Sequence, residues 1–248
     1  MDCYSTLRAL DYGFTPTGIF EVEKYTGTDN LEVMALATNY NRFLTDLVIS
    51  HARKSDAILD FGAGIGTFAS WLTDRGYHVS CIETDPDQAH MITAAGIDVR
   101  PDIANFPDAT FDYIYTLNVL EHIEYDVETL RQLQRVLKPD GKIFIYVPAM
   151  AVLYSSMDEK VGHHRRYSRQ SLIDVGRRAG YRVSNCLYAD SLGFPATLLF
   201  KLSGNTSGNL NPSMLVLYDK WIFPLSRLCD VITSRLFGKN VYCILKNE

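Results

Sequence analysis

The sequence predicts an α/β protein, a mostly parallel sheet with helices on both faces, and three observations carry that class. Short apolar runs alternate with helix-patterned stretches from residue 57 to about 190, the order in which parallel strands and crossover helices follow one another. The run Ile58-Leu59-Asp60-Phe61 passes into a helix pattern at Phe68 through Gly62, Gly64 and Gly66. Glycines at alternate positions strip the backbone of side chains where a ligand must come close. A second acid, Glu83, ends the next apolar run, at the tip of the neighbouring strand. At 248 residues the chain can bury one sizeable core and is expected to be a single domain over 1–248.

Residues 1–30 are acidic and turn-rich, with Gly13, Pro16, Gly18 and Gly27, and predict no regular element. Asn30 is the expected N-cap of a helix over 31–53. The helix Phe68–Arg75 closes at Gly76, and His78–Ile82 is the next strand. Asp85 then caps a helix that has Pro86 in its first position. The helix Ser168–Arg178, ended by Gly180, precedes the strand Tyr181–Tyr188, and Asn240–Leu245 is the last strand. Residues 192–239 between those strands exceed what a simple connection needs. If Tyr181–Tyr188 runs parallel to the other strands, this insertion begins beside the ligand-binding edge. Leu215, Tyr218, Ile222, Leu225, Cys229, Ile232 and Leu236 recur there at helical spacing, with Pro224 set to kink or divide the helix. The plain expectation is a helix packed on the domain by that face. A substrate lid, a dimer contact and an interfacial helix meeting lipid stay open. Lys220, Arg227 and Arg235 favour an anionic surface, whereas Asp219 and Asp230 oppose it.

The glycine turn carries the chemistry. Glycine-rich strand-to-helix turns hold many nucleotides, but Asp60 sits inside this one. A carboxylate there repels a pyrophosphate and attracts a cation. S-adenosylmethionine (SAM) carries a sulfonium and an ammonium and no phosphate, so the turn reads as a SAM site. Glu83 follows the glycines by about 20 residues, the spacing at which an acid accepts bonds from ribose hydroxyls.

With these residues the chain resembles the class I SAM-dependent methyltransferases. Asp60-x-Gly62-x-Gly64-x-Gly66 matches their first motif and Ile82-Glu83-Thr84-Asp85 their second. Pro101-Asp102-Ile103-Ala104-Asn105-Phe106-Pro107 matches the loop whose Asp bonds the adenine amino group. Phe111–Ile123, containing Asn118-Val119-Leu120-Glu121-His122, matches the fourth strand and its turn, and Leu137–Lys142 the turn into the fifth strand, Ile143–Val147. The resemblance implies a Rossmann-like seven-stranded sheet with an antiparallel last strand and SAM as cofactor. It divides the domain into a lid segment (1–53), a SAM-binding core (54–150), a substrate loop (151–168) and a helical insertion (192–239). The cofactor residues it implies are Asp60, Gly62, Ala63, Gly64, Gly66, Glu83, Thr84, Asp102, Ile103, Asn118 and Val119. Tyr40, in Asn39-Tyr40-Asn41-Arg42-Phe43-Leu44, belongs to a helix expected to close over the cofactor, where an aromatic ring can meet a cation.

Residues 154–167, Tyr154-Ser155-Ser156-Met157-Asp158-Glu159-Lys160-Val161-Gly162-His163-His164-Arg165-Arg166-Tyr167, follow the fifth strand, so they lie over the ligand edge of the sheet. Their Gly-His-x-Arg-Arg-Tyr pattern is similar to one in methyltransferases encoded near glycosyltransferase and polysaccharide genes. In methyl transfer the cofactor brings the electrophile and the protein aligns the acceptor. A hydroxyl acceptor benefits from a base. His163 is the first candidate, His122 the second and Asp158 the third. Tyr154, His164, Arg165, Arg166 and Tyr167 are the substrate candidates, the arginines suited to a carboxylate or phosphate on an anionic acceptor. Salt bridges to Asp158 and Glu159 are their structural alternative.

Several classes are disfavoured. The net charge of −5 gives no electrostatic footprint for nucleic acid. The five cysteines are odd in number and lack metal-ligand spacing, so no metal is expected and a cytoplasmic location with reduced thiols is. No signal peptide pattern starts the chain, and no apolar run reaches 18 residues. Asn118-Val119-Leu120-Glu121 stands where amino-methyltransferases of nucleic acids and protein glutamine carry Asn/Asp-Pro-Pro-Tyr/Phe. The expected reaction is therefore methylation, first of all O-methylation, of a small-molecule or sugar- or lipid-linked acceptor. A non-catalytic SAM-binding sensor or partner subunit is the alternative. A nicotinamide oxidoreductase ranks below it, since Gly64-x-Gly66-x-x-Ala69 formally fits a dinucleotide turn. Contact with a membrane surface stays open, and no oligomeric state is legible.

Overall fold

Seven strands, β1 (Ala57–Phe61), β2 (His78–Ile82), β3 (Asp98–Arg100), β4 (Phe111–Leu117), β5 (Leu137–Pro148), β6 (Arg182–Ala189) and β7 (Asn240–Lys246), form one sheet. The structure is a computed structural model that describes residues 33–202 and 211–247. Strand order is β3-β2-β1-β4-β5-β7-β6. β1 to β5 pair in parallel, and β7 runs antiparallel to both β5 and β6. The seven-stranded, mostly parallel sheet with an antiparallel last strand is as the sequence implies. Chain order reverses between β1 and β4, which opens a crevice beyond their carboxyl ends where ligands bind in such sheets.

Alternation along the central strands builds two cores. Leu59, Ile114, Ile143 and Ile145 face Leu130 and Leu133 of α4 (Asp126–Val136) and Leu172 of α6 (Arg169–Arg178). Ile58, Tyr113, Phe144 and Tyr146 face Phe43, Leu44 and Val48 of α1 (Thr38–Ser50), together with Leu72 of α2 (Thr67–Asp74). Burying three such side chains contributes about 5–9 kcal/mol, comparable to a whole domain's stability. α1 is therefore part of the core and not a detachable cover. α3 (Pro86–Ala94) starts as expected: the Asp85 carboxylate accepts from Asp87 N and Gln88 N, and Pro86 follows it.

Three departures have physical causes. The helix expected over 31–53 is interrupted at Leu36 and Ala37: residues 33–35 are helical and α1 starts anew at Thr38, while Asn30 lies outside the described residues, as do residues 1–30. Ala37 gives α1 no side-chain cap; Asp219, 180 residues away, accepts from Asn39 N and Tyr40 N at 2.9 and 2.8 Å instead. The stretch Leu137–Lys142 is continuous with β5, but pairing with β4 slips there around Asp140 (φ 63°). Residues 154–167 are not one open loop: α5 (Ser156–Lys160) forms within them, with Ser155 and Asp158 as a capping box.

The insertion holds α7 (Gly193–Leu202), α8 (Pro212–Leu217), a π turn at Tyr218–Ile222 and α9 (Phe223–Thr233), so the helix is divided just before Pro224. It packs on the domain, but only part of the expected apolar face does so: Tyr218 meets the core and Cys229 is half-buried. Asp219, Phe223, Ser226 and Asp230 face inward, while Val231 and Ile232 are each 82% exposed and Leu225 and Leu236 more than half so. The polar groups win the interior because backbone ends need partners there. Asp230 accepts from Asp190 N and Ser191 N, and Ser226 from Leu192 N. No helix among the described residues is long and apolar enough to cross a membrane.

Candidate active site

The crevice floor is the glycine turn. Gly62, Gly64 and Gly66 have φ of +77°, +58° and +79°, a left-handed backbone that costs other residues. Gly62 N and Ala63 N both donate to Ile82 O at 3.0 Å, which fixes the turn to the end of β2. A Cβ at Gly62 would stand 2.5 Å from Val119 Cγ2, so the turn packs directly on the segment after β4. Glu83 lies between two backbone donors, Gly64 N at 2.7 Å and Asp85 N at 2.9 Å. Burial raises the pKa of its carboxyl, opposed by those bonds.

Asp60 is 3% exposed beneath this turn. Its nearest partner is the Tyr115 hydroxyl, which donates to Oδ2 at 2.7 Å. Burial pushes its pKa up to about 7, the Tyr115 bond opposing and Glu83 adding to the rise. Asn118 (φ 54°) donates from its backbone to Tyr146 O at 2.7 Å. Half-buried Tyr40 stands across from it, edge-on to Tyr146 and Phe223 at 6.3 and 5.4 Å. The structure thus brings Tyr40, Asp60, the glycines, Glu83, Asn118 and Val119 around one crevice. Thr84 is exposed beside Glu83. Asp102 caps a short 3₁₀ turn by accepting from Ala104 N at 2.8 Å, and Ile103 is buried in the hydrophobic core.

The opposite wall is a 3₁₀ turn, Leu120–His122, onto which the 154–167 segment folds. His164 N donates to Glu121 O at 2.8 Å and Tyr154 OH to His163 O at 2.7 Å. His163 Nδ1 meets Asp158 Oδ1 at 2.7 Å, which leaves Nε2 3.7 Å from Glu121 Oε1. The His122 and His163 rings meet edge to face at 4.6 Å. Glu121 is fully buried, and neither carboxylate oxygen has a hydrogen-bond partner among the described residues. Burial lifts its pKa to about 8, moderated by its own backbone N–H and then by the charge of Arg166. Burial also lowers His122 to about 3, with His163 adding to the fall, so its imidazole is neutral at ordinary pH.

Several expected roles change in this light. Asp158 is no free base: burial favours its neutral form, but bonds from His163 and Arg166 outweigh that and hold its pKa below the usual range. It is the group that orients His163. Arg166 is buried with both prongs on Asp158, Nε at 2.8 Å and Nη2 at 3.0 Å, so it has no fork left for an acceptor. Arg165 bonds Asp126 Oδ2 and Glu124 O, each at 2.9 Å. The Tyr167 hydroxyl is buried and donates to the same Asp126 oxygen at 2.8 Å. Of the substrate candidates, Tyr154 is half-buried and His164 exposed. Glu121 is the residue that sequence reasoning missed, since its neighbourhood with His163 spans 42 positions.

A model of the family described as "Methyltransferase domain" matches residues 33–185, more than half of the chain. An uncharacterized methyltransferase of Mycolicibacterium gilvum is 26% identical over 79% of this chain and 80% of its own length. A second, from Mycobacterium leprae, is 28% identical over 56% of this chain, and the match spans only 54% of that relative. Among solved structures, a possible histamine N-methyltransferase of Thermotoga maritima superposes with a TM-score of 0.63 at 15% identity, over 89% of this chain and 95% of that one. A 1,6-didemethyltoxoflavin-N1-methyltransferase of Burkholderia thailandensis, solved with S-adenosylhomocysteine, gives 0.56 at 15% over 90% and 84%. At such identities these structures speak for the fold.

Proposed function

The chain belongs to the methyltransferase-domain family, its cofactor is SAM, and from that premise we propose that it methylates a hydroxyl on a small molecule or on a sugar- or lipid-linked acceptor. The observation that carries this reading is the Asp158–His163 pair. Asp158 holds the Nδ1 proton of His163, so the Nε2 lone pair is presented beside Glu121 and His122 at the crevice wall. Val119, which touches the glycine turn, is only two residues before Glu121. A methyl donor held at the turn would therefore lie on the side of the crevice that this wall closes. SAM binding draws on Gly62, Gly64 and Gly66 for the methionine portion, Glu83 for the ribose and Asp102 for the adenine edge, with Asp60 and Tyr40 facing its positive charge.

Bound SAM would supply the methyl group, the new bond to the acceptor oxygen replacing the carbon–sulfur bond and S-adenosylhomocysteine being the leaving product. His163 Nε2 is placed to take the hydroxyl proton, and the dyad with Asp158 stabilises the imidazolium that results. A screen of hydroxylated acceptors reading S-adenosylhomocysteine release tests the proposal. His163→Ala should lower turnover by about 10²–10⁴-fold with SAM affinity unchanged. SAM binding without release on any acceptor would favour the sensor reading, and equal losses of turnover and folded fraction would make His163 structural.

A further inference from the structure

The proposed reaction uses one lone pair on this wall, but the wall holds three. One oxygen of Glu121, one ring nitrogen of His122 and one of His163 all lie within 4.8 Å of one another. The pairing of His163 with Glu121 is 3.7 Å long, beyond hydrogen-bond reach, so the carboxyl is not satisfied by that imidazole. His163 is held on its far side, where Asp158 meets Nδ1 at 2.7 Å. A carboxylate behind a ligating imidazole is the outer support that metal-binding histidines receive. Glu121 supplies the independent sign: a fully buried carboxylate with no donor on either oxygen among the described residues, turned toward two imidazoles. Burying such a group unpaired is costly, and a cation offsets that cost where a hydrogen bond does not.

We propose that Glu121, His122 and His163 form a binding site for one divalent transition-metal ion. Two imidazoles and one carboxylate suit zinc, cobalt, manganese or iron better than calcium or magnesium, whose preference is for oxygen. Bond lengths of about 2.0–2.2 Å place ligand atoms about 3–3.5 Å apart, so the 3.7 Å between His163 Nε2 and Glu121 Oε1 needs only a small closure on binding. Three protein ligands leave positions open for an acceptor oxygen. This deepens the methyl-transfer reading and rests on it for the acceptor's place. Nε2 of His163 has a single lone pair, so on the ion it is a ligand and no longer a base. The ion then acidifies the bound hydroxyl, whose proton passes to solvent water before the oxygen attacks the methyl group and the carbon–sulfur bond breaks.

The test uses the full untagged chain, stripped with chelator and titrated with Zn²⁺ by calorimetry and with Co²⁺ by visible absorption. Wild type should take up one equivalent and show the d–d bands of a site with nitrogen and oxygen ligands. Glu121→Gln and His163→Asn should each weaken binding by about 100-fold or more, at or above the top of the range known for losing a supporting partner alone. Glu121→Gln exchanges a buried carboxyl that has no hydrogen-bond partner for an amide of the same shape, so the metal-free variant should melt close to wild type, which separates lost ligation from lost folding. No stoichiometric uptake by wild type, or uptake retained in either variant, overturns the site. SAM affinity on the same metal-free samples keeps the two readings apart: SAM bound without metal uptake rejects only the ion, and absence of SAM binding rejects the methyltransferase reading itself.

Discussion

Asp60→Asn should make the ligand-free protein relatively more stable as pH rises, and less able to bind SAM. The carboxyl lies under the glycine turn with Tyr115 as its hydrogen-bond donor and a folded pKa of about 7, against 3.8 for the free side chain. That difference is about 3 units, or about 4 kcal/mol at 1.36 kcal/mol per unit. Relaxation and water entry reduce it, and about 2–4 kcal/mol is the range to expect. The folded state holds the proton more tightly than the unfolded one. Wild type therefore has its full stability below pH 4 and loses it as pH rises through 7. Asparagine does not titrate, so the variant lacks that loss. Any fixed penalty for the buried amide shifts its whole curve equally, and the observable is the difference in slope. Chemical denaturation of both proteins from pH 4.5 to 8.5 should show the variant gaining on wild type by up to about 1.4 kcal/mol per pH unit, levelling off above about 7. SAM should reverse the ranking, because its positive charge favours the ionised Asp60; calorimetry should find the variant's affinity lower by about 10-fold or more. Wild-type affinity should itself fall as pH drops below 7. Parallel stability curves would refute the reasoning and leave Asp60 as a mere acceptor for Tyr115.

Two further outcomes probe the turn. Glu83→Ala should weaken SAM binding by about 1–3 kcal/mol in calorimetry, and should also lower the melting temperature, because Gly64 N and Asp85 N lose their acceptor. Gly62→Ala should destabilise by about 1–3 kcal/mol, since its Cβ meets Val119 at 2.5 Å and its φ is +77°. Adding Val119→Ala should relieve the collision but not the backbone strain, so the double variant should recover only part of the loss in a denaturant melt.

The parallel sheet was legible because its signals are local. Glycine placement, the Asp85–Pro86 cap and the alternation of apolar runs each act within a few residues, and each appears where the sequence put it. α1 and the insertion were misread for the opposite reason. α1 takes its N-terminal cap from Asp219, a partner that no local pattern announces. The same requirement left much of the expected face of α9 outside. Helical spacing marked Leu225, Ile232 and Leu236 for the core, yet the ends of β6 needed acceptors and Asp230 and Ser226 supplied them. Periodicity identifies a face; it does not say which face the rest of the chain will demand.

The site divides along the same line. The residues proposed to meet the cofactor through backbone shape, Gly62, Gly64 and Gly66, show in the sequence because glycine adopts left-handed φ values without the cost that other residues bear. The acceptor wall does not, because its character comes from burial and from pairing across 42 positions. Arg166 looked free to grip an anion, and Asp158 to act as a base, until the fold set them against each other at 2.8 Å. That pairing is what makes His163 informative. With Asp158 neutralised by Arg166 and fixed by the Ser155 cap, the imidazole is held from one side and its other nitrogen is aimed at Glu121. The arginine is thus part of the scaffold that orients the histidine. A charged run that resembles a solvated loop in the sequence is, once folded, a set of buried pairs packed against Glu121 and His122.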